Sequence, residues 1–526
     1  MKTRSMAALT AILVVAPLIA VAPGPQAAAQ SRPNGTARSA ESTLVGGIDL
    51  DTVTIPELQA RMARGSLSSV RLTLAYLRRI KAVDPRINAV LHTSPTALGQ
   101  AVASDIRHRL GRTRGPLDGI PVLLKDNVNT RDMPTTAGSL ALTGKPPATD
   151  AELVAKLRAG GAVILGKANL SEWANFRAAK PTSGWSAVGG QTRNPYVLDR
   201  NPCGSSAGSA AALAASLAQV AIGTETDGSI VCPAGMNAVV GLKPSLGVVS
   251  QSGVVPISAE QDTAGPMARN VVDTALTLSV LSGGEPASGL AEAAVRPGAL
   301  RGKRIGLWRL PLLGTEVDAL MTRTAERLRA AGAEIVEVDL PYQERLAELE
   351  FPALLSEFHR DIDAYLATRK GPRDLAELIA FNRTHPQEQT CFAGQELFEQ
   401  ALTAPPTTDP EYLAMRAELA ILSRRSIDEV MAEHGLDAIA SPANPPAWTT
   451  DCGRGDNDVI PSSTPAAVAG YPSLSVPAGF VGELPVGLLL MAGNHQDADL
   501  LSLGAAVEHR LDGRRAPRYL PTLPTG

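Results

Sequence analysis

Three apolar runs set at helix-length intervals constrain the fold of this chain more than any other feature. Residues 120–127 read IPVLLKDN, residues 162–169 AVILGKAN and residues 219–223 QVAIG. Unbroken apolar runs of this length suit strands buried on both faces. Between them, DAELVAKLRAGGA at 150–162 and the small-residue segment SSAGSAAALAASLAQ at 205–219 read as helices. That succession favours one sheet with helices on both faces.

The surrounding sequence fits the same plan. TIPELQARMARG and SVRLTLAYLRRIKAVD, between Thr54 and Asp84, have apolar residues at spacings of three and four and read as packing helices. After Gly283 a short strand, RIGLW at 304–308, precedes a more charged, helical stretch from Glu316 to Glu433. Strand patterns return at LDAIASPA, SLSVPAG and PVGLLLMAG, so the last quarter rejoins a sheet. The reading is one domain over 45–526, interrupted by a helical insertion at about 316–440.

The first residues bear on compartment. Lys2 and Arg4 precede an apolar run from Met6 to Ala22, and the small residues Ala27, Ala28 and Ala29 follow. This is the pattern of a secretory signal peptide over 1–29, with a flexible tail over 30–44. A membrane anchor is the competing reading, but the run is short for a span and is interrupted by Pro17. Cleavage after Ala29 leaves about 497 residues, ample for a large core.

The net charge of −3 has no long run of either sign, which argues against nucleic acid or an anionic membrane surface as partner. Arg424-Arg425 and Arg514-Arg515 are the densest basic spots and read as solvated faces. Four cysteines at 203, 232, 391 and 452 match no zinc-ligand spacing, so no metal is implied. Cys391 and Cys452 lie in polar, loop-like sequence, either bonded in an oxidising compartment or left as thiols. Cys203 and Cys232 read as small buried thiols.

Three residues in glycine-rich settings carry chemistry. Ser229 follows QVAIG and the segment Gly223-Thr224-Glu225-Thr226-Asp227-Gly228. A turn of that composition can aim successive backbone N–H groups at one point, as an oxyanion requires. Such donors are worth ~3 to 4 kcal/mol each in the transition state. The alternative is an ordinary Gly/Ser loop. Residues 204–208 contain a literal G-x-S-x-G centred on Ser206, the spelling of an α/β-hydrolase elbow. An elbow follows an apolar strand, however, and here loop-like Asp199-Arg200-Asn201-Pro202-Cys203 precedes it. It also needs a late histidine, and His434, His495 and His509 lack distinctive surroundings. Lys125 ends an apolar strand. It is either a snorkelling surface group or, if desolvation lowers its pKa from ~10.4 to ~7, a base.

The motifs GIPVLLKDN, GGQTRNPY with CGSSAGS, GTETDGSIVCPA with VVGLKPS, and QDTAGPMARN resemble those of the amidase signature family, most of all its peptide amidase branch. The resemblance runs from about Ile48 to the C-terminus. It implies one large twisted, mixed β-sheet covered by helices on both faces. It also implies a Ser/cis-Ser/Lys triad, with Ser229 as nucleophile, Ser205 as relay after a cis peptide bond, and Lys125 as base. The backbone N–H groups of Thr226, Asp227, Gly228 and Ser229 would hold the oxyanion, and no cofactor is needed. Many family members have a second glycine where Asp227 stands and an arginine where Val231 stands. Both departures match the peptide amidase wording, and the second argues against the glutamine-hydrolysing component of the tRNA amidotransferase.

Three functions follow as expectations. The first is a secreted amidase that converts peptide C-terminal carboxamides to acids. The second is a broader amidase for aryl, fatty-acid or other small amides, with selectivity set by pocket walls drawn largely from 316–450. The third is a non-catalytic secreted binding protein on the same scaffold, against which intact Lys125, Ser205 and Ser229 argue.

Overall fold

In the computed structural model the apolar runs become neighbours in one sheet. It describes residues 41–283, 300–391, 394–457 and 462–524. The sequence expectations for residues 1–29 and for most of the tail therefore lie outside the described residues.

The main sheet has eleven strands: β1 (Val90–Thr93), β2 (Pro121–Lys125), β3 (Val163–Ala168), β4 (Val220–Glu225), β5 (Val240–Lys243), β6 (Thr263–Ala268), β7 (Arg304–Trp308), β8 (Glu334–Val338), β9 (Ala438–Pro442), β10 (Ser473–Val481) and β11 (Leu484–Met491). Their spatial order is β8-β7-β9-β11-β10-β5-β6-β4-β2-β3-β1. β2 runs parallel to both β3 and β4, and β7 runs parallel to both β8 and β9. The remaining pairings are antiparallel, so the sheet is mixed. Every residue of β2, β3, β4 and β11 is buried, which is why these strands read as continuous apolar runs.

The small-residue segment forms the Ala207–Ala214 helix, buried along its whole length. Its composition follows from close approach: a Cβ on Gly208 would lie 2.4 Å from the Asn169 carbonyl oxygen and 2.5 Å from that of Ala89. No larger residue fits there.

The charged stretch departs from expectation. After the Thr315–Ala330 helix the chain returns to the sheet as β8, a partly exposed edge strand whose Glu334-Ile-Val-Glu-Val lacks an unbroken apolar run. The helical excursion proper comprises Gln343–Leu366, Leu375–Thr384, Glu396–Thr403 and Pro410–His434. Its apolar residues Phe358, Ile362, Leu378 and Phe398 form a second core that takes in Trp173, Phe176 and Ile257 from the main body. That shared core packs the excursion against the main body.

Both cysteine pairs are disulfides, Cys203–Cys232 and Cys391–Cys452. The first corrects the expectation of two buried thiols. The 29-residue separation conceals the proximity, because the loop ending at Cys203 lies on the Val231–Met236 helix, where Asn237 Nδ2 donates to the Pro202 carbonyl at 2.9 Å. Arg514 is likewise no solvated arginine. It grips Asp51 with both Nη atoms, at 2.9 and 2.6 Å, and ties the end of the chain to its beginning.

Candidate active site

Lys125 is the last residue of β2, and in parallel β4 Leu124 faces Ile222. The register carries the lysine onto Thr224 in the buried interior. Its Nζ lies 2.7 Å from Ser205 Oγ, 2.8 Å from Thr224 Oγ1 and 3.1 Å from the Thr224 carbonyl oxygen. Lys125 is fully buried and forms no ion pair among the described residues. Burial pulls its pKa from 10.5 to about 7, against the opposing pull of the Asp262 and Glu225 charges. A neutral amine has two N–H bonds and one lone pair. Thr224 supplies acceptors for both N–H groups, which leaves the lone pair for the Ser205 hydroxyl.

Ser205 is also fully buried, and the Gly204–Ser205 peptide bond is cis. The Ser205 carbonyl accepts from the Ser171 N–H at 3.0 Å, and the Ser206 N–H donates to the Ser229 carbonyl at 3.1 Å. Backbone hydrogen bonds and the Cys203–Cys232 disulfide thus fasten the two serine segments to each other. Ser206 has a different task from an elbow nucleophile. It is buried at the start of the Ala207–Ala214 helix, where its Oγ donates to the Thr224 carbonyl at 3.1 Å.

Ser229 lines a cavity of about 270 Å³ together with Thr226, Asp227 and Gly228. The turn between Glu225 and Ser229 is closed by Glu225 itself, whose Oε2 accepts from the N–H groups of Ile230 at 2.7 Å and Val231 at 2.9 Å. Gly228 has φ +74°, a left-handed conformation that favours glycine. Among the described residues the N–H groups of Asp227, Gly228 and Ser229 have no acceptor. Such a turn is the kind of concavity that accommodates a developing oxyanion.

Phe176, Ile257, Leu354 and Trp448 contribute apolar wall to the cavity, beside polar Asn175, Ser183 and Ser463. Among the described lining residues only Leu354 and Trp448 come from 316–450, so the described part of that stretch contributes less wall than expected. Its helices pack behind Phe176 and Ile257 and act through them. None of His434, His495 and His509 lines the cavity.

Sequence reasoning passes over several groups that surround these residues. Asn127 Nδ2 donates to Thr224 Oγ1 at 2.9 Å and fixes that hydroxyl beside the lysine. Asp262 accepts from Thr226 Oγ1 at 2.5 Å and from the Ile257 and Ser258 N–H groups, while burial pushes its pKa up to about 7. Burial also raises the pKa of Glu225 and lowers that of Lys243 to about 8, each opposed by the other's charge. Their signal in the sequence is charge inside otherwise apolar or glycine-rich runs, as in VVGLKPS and QDTAGPMARN.

Residues 71–501 match the family described as Amidase. Over 495 residues the chain is 37% identical to a probable amidase of Arabidopsis thaliana, covering 90% of this chain and 92% of that protein. It is 33% identical to a putative amidase of Schizosaccharomyces pombe, over 90% of this chain and 87% of that protein. The native peptide amidase of Stenotrophomonas maltophilia superposes with a TM-score of 0.84 at 49% identity, covering 89% of this chain and 98% of that one. The chain therefore belongs to the amidase signature family and is a hydrolase acting on amide C–N bonds.

Proposed function

We propose that this enzyme is a secreted peptide amidase that hydrolyses the C-terminal carboxamide of a peptide to a carboxylic acid and ammonia. One observation carries the chemistry: a buried lysine without an ion pair among the described residues, 2.7 Å from a serine hydroxyl and held by Thr224. Likeness to a peptide amidase at 49% identity supports the substrate class. The leader sequence supports secretion.

In this reading the Ser229 hydroxyl passes its proton to Ser205 as its oxygen bonds the amide carbon, and Ser205 passes its own proton to neutral Lys125. The carbonyl oxygen becomes an oxyanion facing the N–H groups of Thr226, Asp227, Gly228 and Ser229. When the C–N bond breaks, the proton returns through Ser205 to the nitrogen, and ammonia leaves. Water then attacks the acyl-serine, its proton taking the same route to Lys125. Collapse of the second tetrahedral intermediate returns that proton to Ser229 and frees the acid.

The test is mass spectrometry of the mature protein with peptide C-terminal amides and with aryl and fatty amides, beside a Ser229→Ala control. Conversion of the peptide amides, absent in the control, supports the reading. Turnover of the non-peptide amides alone overturns the substrate class. Turnover in Ser229→Ala overturns the nucleophile.

A further inference from the structure

Glu350 lies on the Gln343–Leu366 helix, far from Lys125 and the two serines in sequence, yet it reaches the back of the turn that carries Ser229. Gln261 Nε2 bridges the two, donating to the Thr226 carbonyl at 3.1 Å and to Glu350 Oε1 at 2.5 Å. Arg416 Nη1 in turn donates to Gln261 Oε1 at 3.2 Å and fixes which way that amide points. The carboxyls of Glu350 and Asp227 are hydrogen-bonded to each other. Two carboxylates in such contact cannot both be ionised, so the pair holds a proton.

The partners show where that proton resides. Asp227 Oδ2 accepts the Thr464 hydroxyl at 2.6 Å, and Ser463 also bonds the carboxylate, so Asp227 is the favoured anion. Asp227 Oδ1 is buried and receives no N–H or ordinary hydroxyl hydrogen bond. A proton on Glu350 is the donor that fits. Burial raises both pKa values, Glu350 well above the ordinary glutamate range, and the neighbouring Asp227 charge adds to it. The charged groups facing the pair are Arg416 from the Pro410–His434 helix, Lys243 at the end of β5 and Glu225 at the end of β4.

We propose that Glu350 is a positioning residue for amide hydrolysis: as a carboxylic acid it donates to the Asp227 carboxylate and thereby holds the Thr226–Ser229 turn, with its free N–H groups, in shape for the acyl oxygen. The proposal rests on the oxyanion role assigned to that turn. It explains why an aspartate stands where the turn would otherwise accept glycine: the side chain is an anchor, and the excursion supplies its mooring. Loss of the Glu350 proton at alkaline pH places two anions side by side and loosens the turn.

The test compares wild type, Glu350→Gln and Glu350→Ala with a peptide C-terminal amide between pH 6 and 10. The glutamine amide keeps a donor toward Asp227 but cannot ionise. Glu350→Ala is expected to lose about tenfold or more in kcat, with KM changed less than about threefold. Glu350→Gln is expected to keep at least about a third of the wild-type kcat at pH 7 and to lose the alkaline fall. Equal damage in both variants, an undamaged alanine variant, or an alkaline fall that persists in Glu350→Gln overturns the proposal.

Melting temperature supplies a readout that needs no turnover. A carboxyl whose pKa is raised on folding stabilises the fold fully below its unfolded pKa, and that contribution is lost as pH rises through the folded one. Wild type should therefore lose Tm relative to Glu350→Gln as pH rises above the ordinary glutamate range. A constant gap between them refutes the shared proton. Absence of any amide hydrolysis by wild type, with the Tm shift present, refutes the hydrolytic reading and leaves the carboxyl pair standing.

Discussion

Replacing Lys125 by methionine should remove activity and make the protein more stable at neutral pH. The side chain is wholly buried, so solvent screening gives no discount. Folding lowers the lysine pKa from 10.5 to about 7. At 1.36 kcal/mol per unit, stripping that proton costs about 5 kcal/mol at pH 7. Methionine fills similar space and forfeits the contacts with Ser205, Thr224 Oγ1 and the Thr224 carbonyl, together about 3 kcal/mol. The variant gains roughly 2 kcal/mol, which for a chain of this length, with an unfolding entropy near ~1 kcal/mol/K, raises Tm by about 2 °C. The sign of the pH dependence is fixed: between pH 7 and 10.5 the unfolded chain binds more protons, so wild type gains stability as pH rises and the variant does not. The two melting curves should cross near ~pH 8, where the proton term has shrunk to the value of the lost hydrogen bonds. Calorimetry at pH 7 and 10, with peptide-amide turnover measured in parallel, checks both halves. A variant that melts below wild type by the same margin at both pH values would show that Lys125 is charged in the fold, and its role as base would go with it.

Below pH 7 the wild-type kcat/KM should fall about tenfold per unit as the amine takes up its proton, and a profile flat to pH 5 refutes a neutral lysine base. Thr224→Val deprives the Lys125 amine and Asn127 Nδ2 of a shared acceptor; a loss of about 1–3 kcal/mol in stability and roughly tenfold in kcat is expected from unfolding curves and steady-state kinetics. Removing the Cys203–Cys232 bridge by a double alanine substitution should cost about 3–4 kcal/mol, from closure of a loop of that length, and should lower kcat more than KM.

The sheet is legible in the sequence where its strands are apolar on both faces, as in β2, β3, β4 and β11. It is hidden where close packing demands small residues or breaks the pattern. β6 carries Pro266 in an interior strand, and a Cβ on its Gly265 would lie 2.0 Å from the Leu242 carbonyl, so the strand looks like a loop when read residue by residue. β8 is an edge strand and shows its charges to water. At the site, Lys125, Ser205 and Ser229 stand out because each sits in a motif. Thr224 reads as turn although it belongs to β4, and its hydroxyl gains meaning only once parallel pairing sets it beside the lysine. Glu350 has no signal at all, because its partner lies more than a hundred residues away across the interface between excursion and sheet. Long-range pairing leaves no periodicity in the chain.

Of Lys125, Ser205 and Ser229, only Ser229 is among the described residues that line the cavity, while Lys125 and Ser205 are fully buried. On the proposed mechanism, that burial imposes an order on traffic. The proton removed at acylation would be held on buried Lys125, away from solvent, until the departing nitrogen collects it. On that mechanism ammonia would leave before water reaches the acyl-serine, because both approach one acyl carbon and exchange a proton with the same Ser205 hydroxyl. In the proposed mechanism the order of exit and entry would then follow from which groups the fold buries.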